Sequence, residues 1–190
     1  MTAFILRVHL KFILKNMKNK LFFLTEENRL NNKTFKINGF VFSQHSKVFS
    51  KMRYGIKPMS HNGCGIIAVY NALLLLGEKP DFHNAAEYFE KHGKWFFGLL
   101  GTKPWKFGGY LKKFGFKTKL CSPETAENGV YIITVWNKRP GMHYMAVNKT
   151  ENGIYVYNGY RRRDTYDHYR NFESFFEDTC IKCLLLMRIL

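Results

Sequence analysis

Cys64 has the side chain and the setting of a nucleophile. It lies in SHNGCGIIAVYNALLLLG (60–77), at the start of a predicted helix. Unpaired backbone N–H groups and the helix dipole favour an anion there, so the position is expected to lower the pKa of the thiol. A cysteine that served only packing would gain nothing from this location, although a purely structural role remains the alternative.

His143 and Asn158 have the side chains of a base and of a group that orients it. His143 opens the run HYMAVN and Asn158 closes the run GIYVYN. If these runs pair as an antiparallel hairpin around KTEN, the two residues face each other with Cβ atoms about 5 Å apart. The side-chain oxygen of Asn158 would then accept the Nδ1–H of the imidazole and direct Nε2 towards Cys64. The sequence therefore predicts a Cys-His-Asn triad.

The helix that carries Cys64 is predicted to be the buried centre of the fold. Apolar residues occupy almost every position from Cys64 to Leu76, a pattern typical of a helix buried on all sides. Asn62 and Gly63 are cap and turn residue types at its start, and Gly77 ends it. Asn71 lies within this apolar run, so its amide needs a hydrogen-bond partner on a neighbouring segment.

The order of the remaining elements predicts an α+β fold. Helices are expected over Asp81–His92 and Pro104–Phe114, after a short β-like run at Phe35–Phe42. From Phe116 the chain changes to short β-branched and aromatic runs, which predict an antiparallel meander. A short helix near 171–177 and a strand at 183–190 close the chain. Helices followed by an antiparallel sheet form the α+β class.

These features together resemble the papain-like cysteine peptidases. The resemblance lies in a buried helix opening with NGCG and carrying AVYNAL, a strand beginning HY and a strand ending in Asn. The double-glycine leader peptidases, found alone or fused to bacteriocin exporters, are the most similar branch, over roughly residues 53–160. GTKPWKFGGYLKKFGFK (101–117) is also similar to that group. The resemblance implies a papain-like domain over 51–190, with the nucleophile helix packed on the sheet.

The resemblance also implies a role for each candidate residue. Cys64 would be the nucleophile, His143 the general base and then acid, and Asn158 the orienting residue. Leader peptidases usually have Asp-Pro where this chain has Asn158-Gly159. The substrate would be a peptide or protein, and no metal or organic cofactor would be needed.

The oxyanion-hole Gln that the family places several residues before the cysteine is missing. Pro58 and Ser60 stand in that region instead. Asn62 is the expected substitute, donating a side-chain N–H beside the backbone N–H of Cys64, and Gln44 is a more distant one. The predicted catalytic set is therefore Cys64, His143, Asn158 and Asn62. Loss of one oxyanion donor typically costs about 10²–10³ in rate.

The charge is concentrated near the N-terminus. Of the net +16, residues 1–57 carry twelve Lys and Arg against two Asp and Glu, or +10. Residues 1–50 are predicted to be a basic extension or docking helix. Its first 24 residues match a basic amphipathic helix better than a secretory signal or a membrane span. Association with a membrane surface or transporter through it stays open, and the cytoplasm is the expected compartment. No nucleic-acid-binding signature is present, so nucleic acid is not an expected partner.

The other cysteines do not indicate a disulfide framework or a metal site. Four cysteines are too few for a disulfide scaffold in a chain of 190 residues. Cys180 and Cys183 form a lone CxxC without a second ligand pair at matching spacing, and they are predicted to belong to the C-terminal strand. Three functions remain open: a thiol hydrolase, an acyltransferase using the same triad, and a non-catalytic domain that binds a peptide or leader sequence.

Overall fold

The sheet and its helices are seen in a computed structural model that describes residues 19–20, 22–137, 141–161 and 164–190. The first half of the chain holds the helices α1 (22–32), α2 (Lys47–Lys51), α3 (Met59–Asn62), α4 (Cys64–Leu75), α5 (Phe82–His92) and α6 (Phe107–Leu111), with a hairpin of β1 (Arg53–Tyr54) and β2 (Lys57–Pro58). The second half holds β3 (Thr118–Cys121), β4 (Gly129–Asn137), β5 (Gly141–Thr150), β6 (Gly153–Tyr157), β7 (Asp167–Tyr169), α7 (Phe172–Thr179) and β8 (Lys182–Ile189).

The main sheet of the described residues is antiparallel throughout, in the order β3-β8-β4-β5-β6-β7. This confirms the α+β class and the predicted meander for β4 to β6, and β7 adds a strand that the sequence analysis does not predict. The meander does not extend to β3, because the last strand, β8, lies between β3 and β4. The apolar run LLLM of β8 can bury more surface at that interior position than at an edge.

The register of the β5–β6 hairpin differs from the predicted one. Ala146 pairs with Tyr157 and Thr150 with Gly153, so the loop is two residues long. The predicted direct pairing of His143 with Asn158 is therefore wrong by two residues. Asn158 itself lies one residue beyond the end of β6 and has a left-handed backbone, so the alternation of strand side chains does not extend to it.

The central helix α4 is buried from its first residue, as predicted, and packs on one face of the sheet. Its residues from Cys64 to Leu73 are all buried. The fit is close at Gly65, where an added Cβ would lie 2.6 Å from the Cβ of Thr102. Tyr144 and Ala146 of β5 share the apolar core with α4, while Met145 and Val147 pack on the other face with α7.

Two predicted helices have different outcomes. Helix α5 begins after Asp81, whose side chain accepts hydrogen bonds from the backbone N–H groups of His83 and Asn84, and it ends at Gly93, as predicted. The helix predicted over Pro104–Phe114 is divided, with 3₁₀ turns on either side of the short α6.

Asn71 links helix α4 to Val41, which lies in the predicted N-terminal extension (residues 1–50). Its Nδ2 donates to the carbonyl of Val41 at 2.8 Å, and its Oδ1 accepts from the N–H of Val41 at 2.9 Å. This confirms that the buried amide has a partner. Residues 35–42 are not a strand, and Asn71 supplies the pairing that a strand would have given Val41.

The described part of the N-terminal segment packs against the rest of the chain. Asn28 of α1 donates to the Gly55 carbonyl at 2.8 Å and to Glu90 at 3.1 Å, and Glu90 forms a buried ion pair with Lys94. The predicted basic amphipathic helix falls mostly on residues 1–18, which lie outside the described residues. None of the described helices combines the length and apolar composition needed to cross a bilayer.

Replacement of Asn71 by Ala is expected to lower the free energy of unfolding by about 2–4 kcal/mol, because the buried N–H and carbonyl of Val41 would both lose their partner. Urea unfolding followed by circular dichroism measures this change. The exposed Asn38→Ala variant is the matched control and should change stability by less than about 0.5 kcal/mol. Equal effects of the two substitutions would contradict this role of Asn71.

Candidate active site

The Cys64 thiol lies where two parts of the fold meet, at the N-terminus of α4 and beside β5. Three backbone N–H groups act on it, those of Tyr144, Gly65 and Cys64 itself. They favour the thiolate, but burial outweighs them and raises the pKa of Cys64 to about 11. The expected lowering of this pKa is therefore wrong, and Cys64 is a neutral thiol at pH 7.

The contact with Tyr144 places the thiol at an open stretch of strand edge. Pairing of β6 with β5 stops at Ala146, so the backbone of residues 143–145 has no strand partner on that side. Backbone N–H groups of a strand point sideways, in the plane of the sheet, so the N–H of Tyr144 can reach the sulfur from this open edge. The backbone nitrogen of Tyr144 is only two covalent bonds from the Cα atom of His143. The sulfur is therefore next to the residue that carries the imidazole.

His143 is held through the backbone of Asn158, not through its side chain. His143 Nε2 lies 2.7 Å from the carbonyl oxygen of Asn158. A carbonyl only accepts hydrogen bonds, so Nε2 carries the proton and Nδ1 is the basic nitrogen. This reverses the predicted assignment, in which Nδ1–H faced Asn158. Burial lowers the pKa of His143 to about 4, although the Asn158 carbonyl opposes that shift.

The side chain of Asn158 binds Gln44 instead. Its Oδ1 accepts from the backbone N–H of Gln44 at 2.8 Å, and its Nδ2 lies 3.4 Å from Gln44 Oε1. Asn158 has a left-handed backbone (φ 62°), which Asn tolerates better than most residues. Gln44 Nε2 donates to the carbonyl of Ser60 at 3.1 Å, so Gln44 connects Asn158 to α3, the helix before Cys64.

Asn62 does not have the geometry of the predicted oxyanion donor. Its Nδ2 donates to the carbonyl of Tyr54 at 2.9 Å and to that of Gly98 at 2.6 Å. Both amide hydrogens are thus occupied, and none remains for a substrate oxygen. Asn62 also does not cap α4, which has no side-chain cap. It is the last residue of α3 and holds the loop around Gly98 against β1.

A cleft of about 420 Å³ reaches Cys64. Its walls are largely apolar and come from α3, from the loop at 95–101 and from the ends of β4 and β5; they include Trp95, Leu99, Leu100, Trp136, Met142 and Tyr144. His143 is not among the lining residues. Met142 and Tyr144 face the cleft, and His143, which lies between them in the strand, points to the other face.

Tyr160 is a residue of this site that the sequence interpretation missed. Its ring centroid lies 5.1 Å from that of His143. Its hydroxyl is buried without a hydrogen-bond partner, and burial, followed by the proximity of the ionisable Cys64, raises its pKa. Tyr160 therefore connects the surroundings of the thiol with those of the imidazole. Its position after Asn158-Gly159 gave no recognisable signal.

The loop KWFFGLLGT is the second feature that was missed, and here a signal exists. It spans residues 94–102, between helices α5 and α6. Bulky apolar residues in a glycine-containing loop cannot all be buried, so they indicate a wall of a cleft or an interaction surface.

The comparisons and the remaining cysteines add no further site. No protein-family model matches the sequence, and no curated protein matches it.

Within the part of the chain that the structure describes, no group of three His, Cys, Asp or Glu side chains is arranged to hold a metal ion. Cys180 follows α7 and Cys183 lies on β8, so only the second belongs to the strand predicted for both.

Acid is expected to destabilise the protein through His143. Its pKa is about 4 in the folded protein, against an ordinary histidine pKa of about 6.5 in the unfolded chain, so only the unfolded chain takes up this proton between those pH values. The contribution is complete above pH 6.5 and is lost as pH falls, by about 3 kcal/mol in total. Urea unfolding at pH 7.0, 5.5 and 4.5 measures it.

His143→Gln should flatten this pH dependence, whereas the exposed His61→Gln variant should retain it. Equal pH dependence of the wild-type protein and His143→Gln would show that His143 is not held neutral in the folded protein.

Proposed function

We propose that the protein is a thiol hydrolase of the cysteine peptidase type, in which Cys64 attacks a peptide or amide carbonyl. The observation that carries the proposal is the position of the thiol. It lies at the N-terminus of a buried helix and at the end of a cleft, against the N–H of the residue that follows His143. A cysteine that serves only packing needs no access to a cleft.

The proposed proton path begins at the thiol. The ring of His143, which is not part of the cleft wall, has to reach the sulfur around the unpaired edge of β5 at residues 143–145. Nδ1 then takes the proton as the sulfur bonds to the carbonyl carbon, and the Asn158 carbonyl keeps Nε2 protonated. His143 then gives the proton to the departing amine, which leaves an acyl-enzyme. Water attacks that acyl group, transferring a proton through the same ring, and the thiol is restored.

Stabilisation of the oxyanion is assigned to the backbone. The N–H groups of Cys64 and Gly65 stand at the helix N-terminus beside the sulfur, where the helix dipole favours negative charge. With Asn62 occupied elsewhere, the hydroxyl of Tyr160 is a side-chain donor that is still available. The α+β fold with the thiol on its central helix supports membership of the papain-like superfamily, with the leader peptidases as the proposed branch.

The substrate is proposed to be a peptide or protein, because the cleft is open at the surface and lined by apolar side chains. Acyl transfer to an amine would use the same residues. The cysteines form no disulfide, which suits a reducing compartment such as the cytoplasm.

A second candidate is a peptide-binding domain without catalysis. The observation that favours it is the neutral state of the site, since burial raises the pKa of Cys64 to about 11 and lowers that of His143 to about 4. The occupied amide of Asn62 also favours it.

Hydrolysis of a pool of fluorogenic peptide amides at pH 7.5 tests the two candidates. Cys64→Ala should abolish turnover, and His143→Gln should reduce kcat/KM by about 10²–10⁴-fold, because the general base is lost. Mass spectrometry of the quenched reaction should find an acyl group on Cys64.

A triple variant with Ser at Cys121, Cys180 and Cys183 is the matched control and should keep full activity. Peptide binding without turnover or acylation that depends on Cys64 would support the second candidate and overturn the first.

A further inference from the structure

The mouth of the cleft belongs to a larger exposed apolar surface. Seven side chains that are 42% to 63% exposed contribute to it, here called the apolar rim: Ile56, Phe96, Phe97, Leu99, Leu100, Trp105 and Trp136. Single exposed apolar residues are ordinary, but a group of this size indicates an interaction surface.

Contacts show that the apolar rim is continuous. The N–H of Ile56 donates to the carbonyl of Phe97 at 3.2 Å, which joins the β1–β2 hairpin to the loop at 95–101. The rings of Trp95 and Trp105 are in edge contact, with centroids 5.5 Å apart. Trp95 also lines the cleft together with Leu99, Leu100 and Trp136.

The backbone holds two adjacent phenylalanines outwards at a conformational cost. Phe96 and Phe97 have φ values of 45° and 56°, a region that bulky residues avoid. Gly55 lies so close to the carbonyl of Phe97 that a Cβ there would collide with it. Strain of this kind persists where neighbouring structure imposes it, and it clusters at functional sites.

The segments that form the apolar rim carry Lys and Arg but no Asp or Glu, and the carboxylates nearest to them come from α1 and α5. Glu27 borders Arg53 and Ile56, and Glu90 accepts from the N–H of Gly55 in the interior. Residues 94–106 contain three Lys and no Asp or Glu, and residues 28–77 also lack Asp and Glu. Arg53, Lys57, Lys103 and Lys106 come from the hairpin and loop segments that form the rim. No carboxylate in the described part of the chain forms an ion pair with these four residues.

We propose that the apolar rim docks on the surface of an anionic phospholipid bilayer. Trp, Phe and Leu side chains are the residues that enter the headgroup region, and Lys and Arg beside them attract anionic lipids. An acidic protein partner would account for the cations but not for adjacent phenylalanines and tryptophans held out into solvent. Because the cleft opens within the rim, docking turns the path to Cys64 towards the lipid. The proposal does not depend on catalysis.

Tryptophan fluorescence tests the proposal directly, because all three tryptophans of the chain, Trp95, Trp105 and Trp136, belong to the rim or to the cleft beside it. The full chain is titrated with vesicles of phosphatidylcholine containing 30% phosphatidylserine, and separately with pure phosphatidylcholine. The emission should shift to the blue with the anionic vesicles, and lipids brominated on the acyl chain should quench it.

Variants distinguish the rim from other basic segments. Phe96→Ser combined with Leu99→Ser should weaken vesicle binding at least tenfold, and Lys57→Ala and Lys103→Ala about fivefold each. Leu120→Ser and Lys119→Ala on the exposed strand β3 are the matched controls and should bind like the wild-type protein. Circular dichroism verifies that each variant is folded.

Vesicle binding without a blue shift or quenching, or with equal affinity for the rim and control variants, would overturn the proposal. So would the absence of binding to anionic vesicles, or a blue shift produced only by an acidic polypeptide such as polyglutamate.

Discussion

The hydrogen bond between His143 Nε2 and the carbonyl of Asn158 is the contact on which the proposed site depends. It determines which ring nitrogen carries the proton and therefore which one is basic. The carbonyl is in place because Asn158 has a left-handed backbone and its side chain is bound by Gln44. Gln44 in turn binds Ser60, just before the helix of Cys64. Residues far apart in sequence thus support one imidazole.

The burial that builds the core also sets the charge state of the site. Helix α4 is buried from Cys64 to Leu73, so the thiol at its first residue loses water and its pKa rises. The same cause lowers the pKa of His143, and both groups are neutral at rest. A substrate that fills the cleft would therefore meet an uncharged thiol, and transfer of its proton to His143, which lies outside the cleft wall, would have to accompany attack on the carbonyl. This differs from a resting thiolate–imidazolium pair.

Local patterns in the sequence predict much of the fold and little of the hydrogen bonding in the site. The apolar run of α4 and the Asp81 cap of α5 are local signals, and both predictions are confirmed. The insertion of β8 between β3 and β4 depends on distant pairing, which no local pattern encodes. The His143 register failed because it depended on the loop length at KTEN. Asn62 was misinterpreted because its partners, Tyr54 and Gly98, meet it only in the folded chain.

The tautomer of His143 is the most direct test of this account, and ¹⁵N NMR of imidazole-labelled protein measures it. The account predicts a neutral ring at pH 6, with the proton on Nε2 and an unprotonated Nδ1 whose chemical shift changes in Cys64→Ala. A ring that is protonated on Nδ1, or that titrates near the ordinary value of about 6.5, would contradict it. So would an Nδ1 signal that is unaffected by the loss of the thiol.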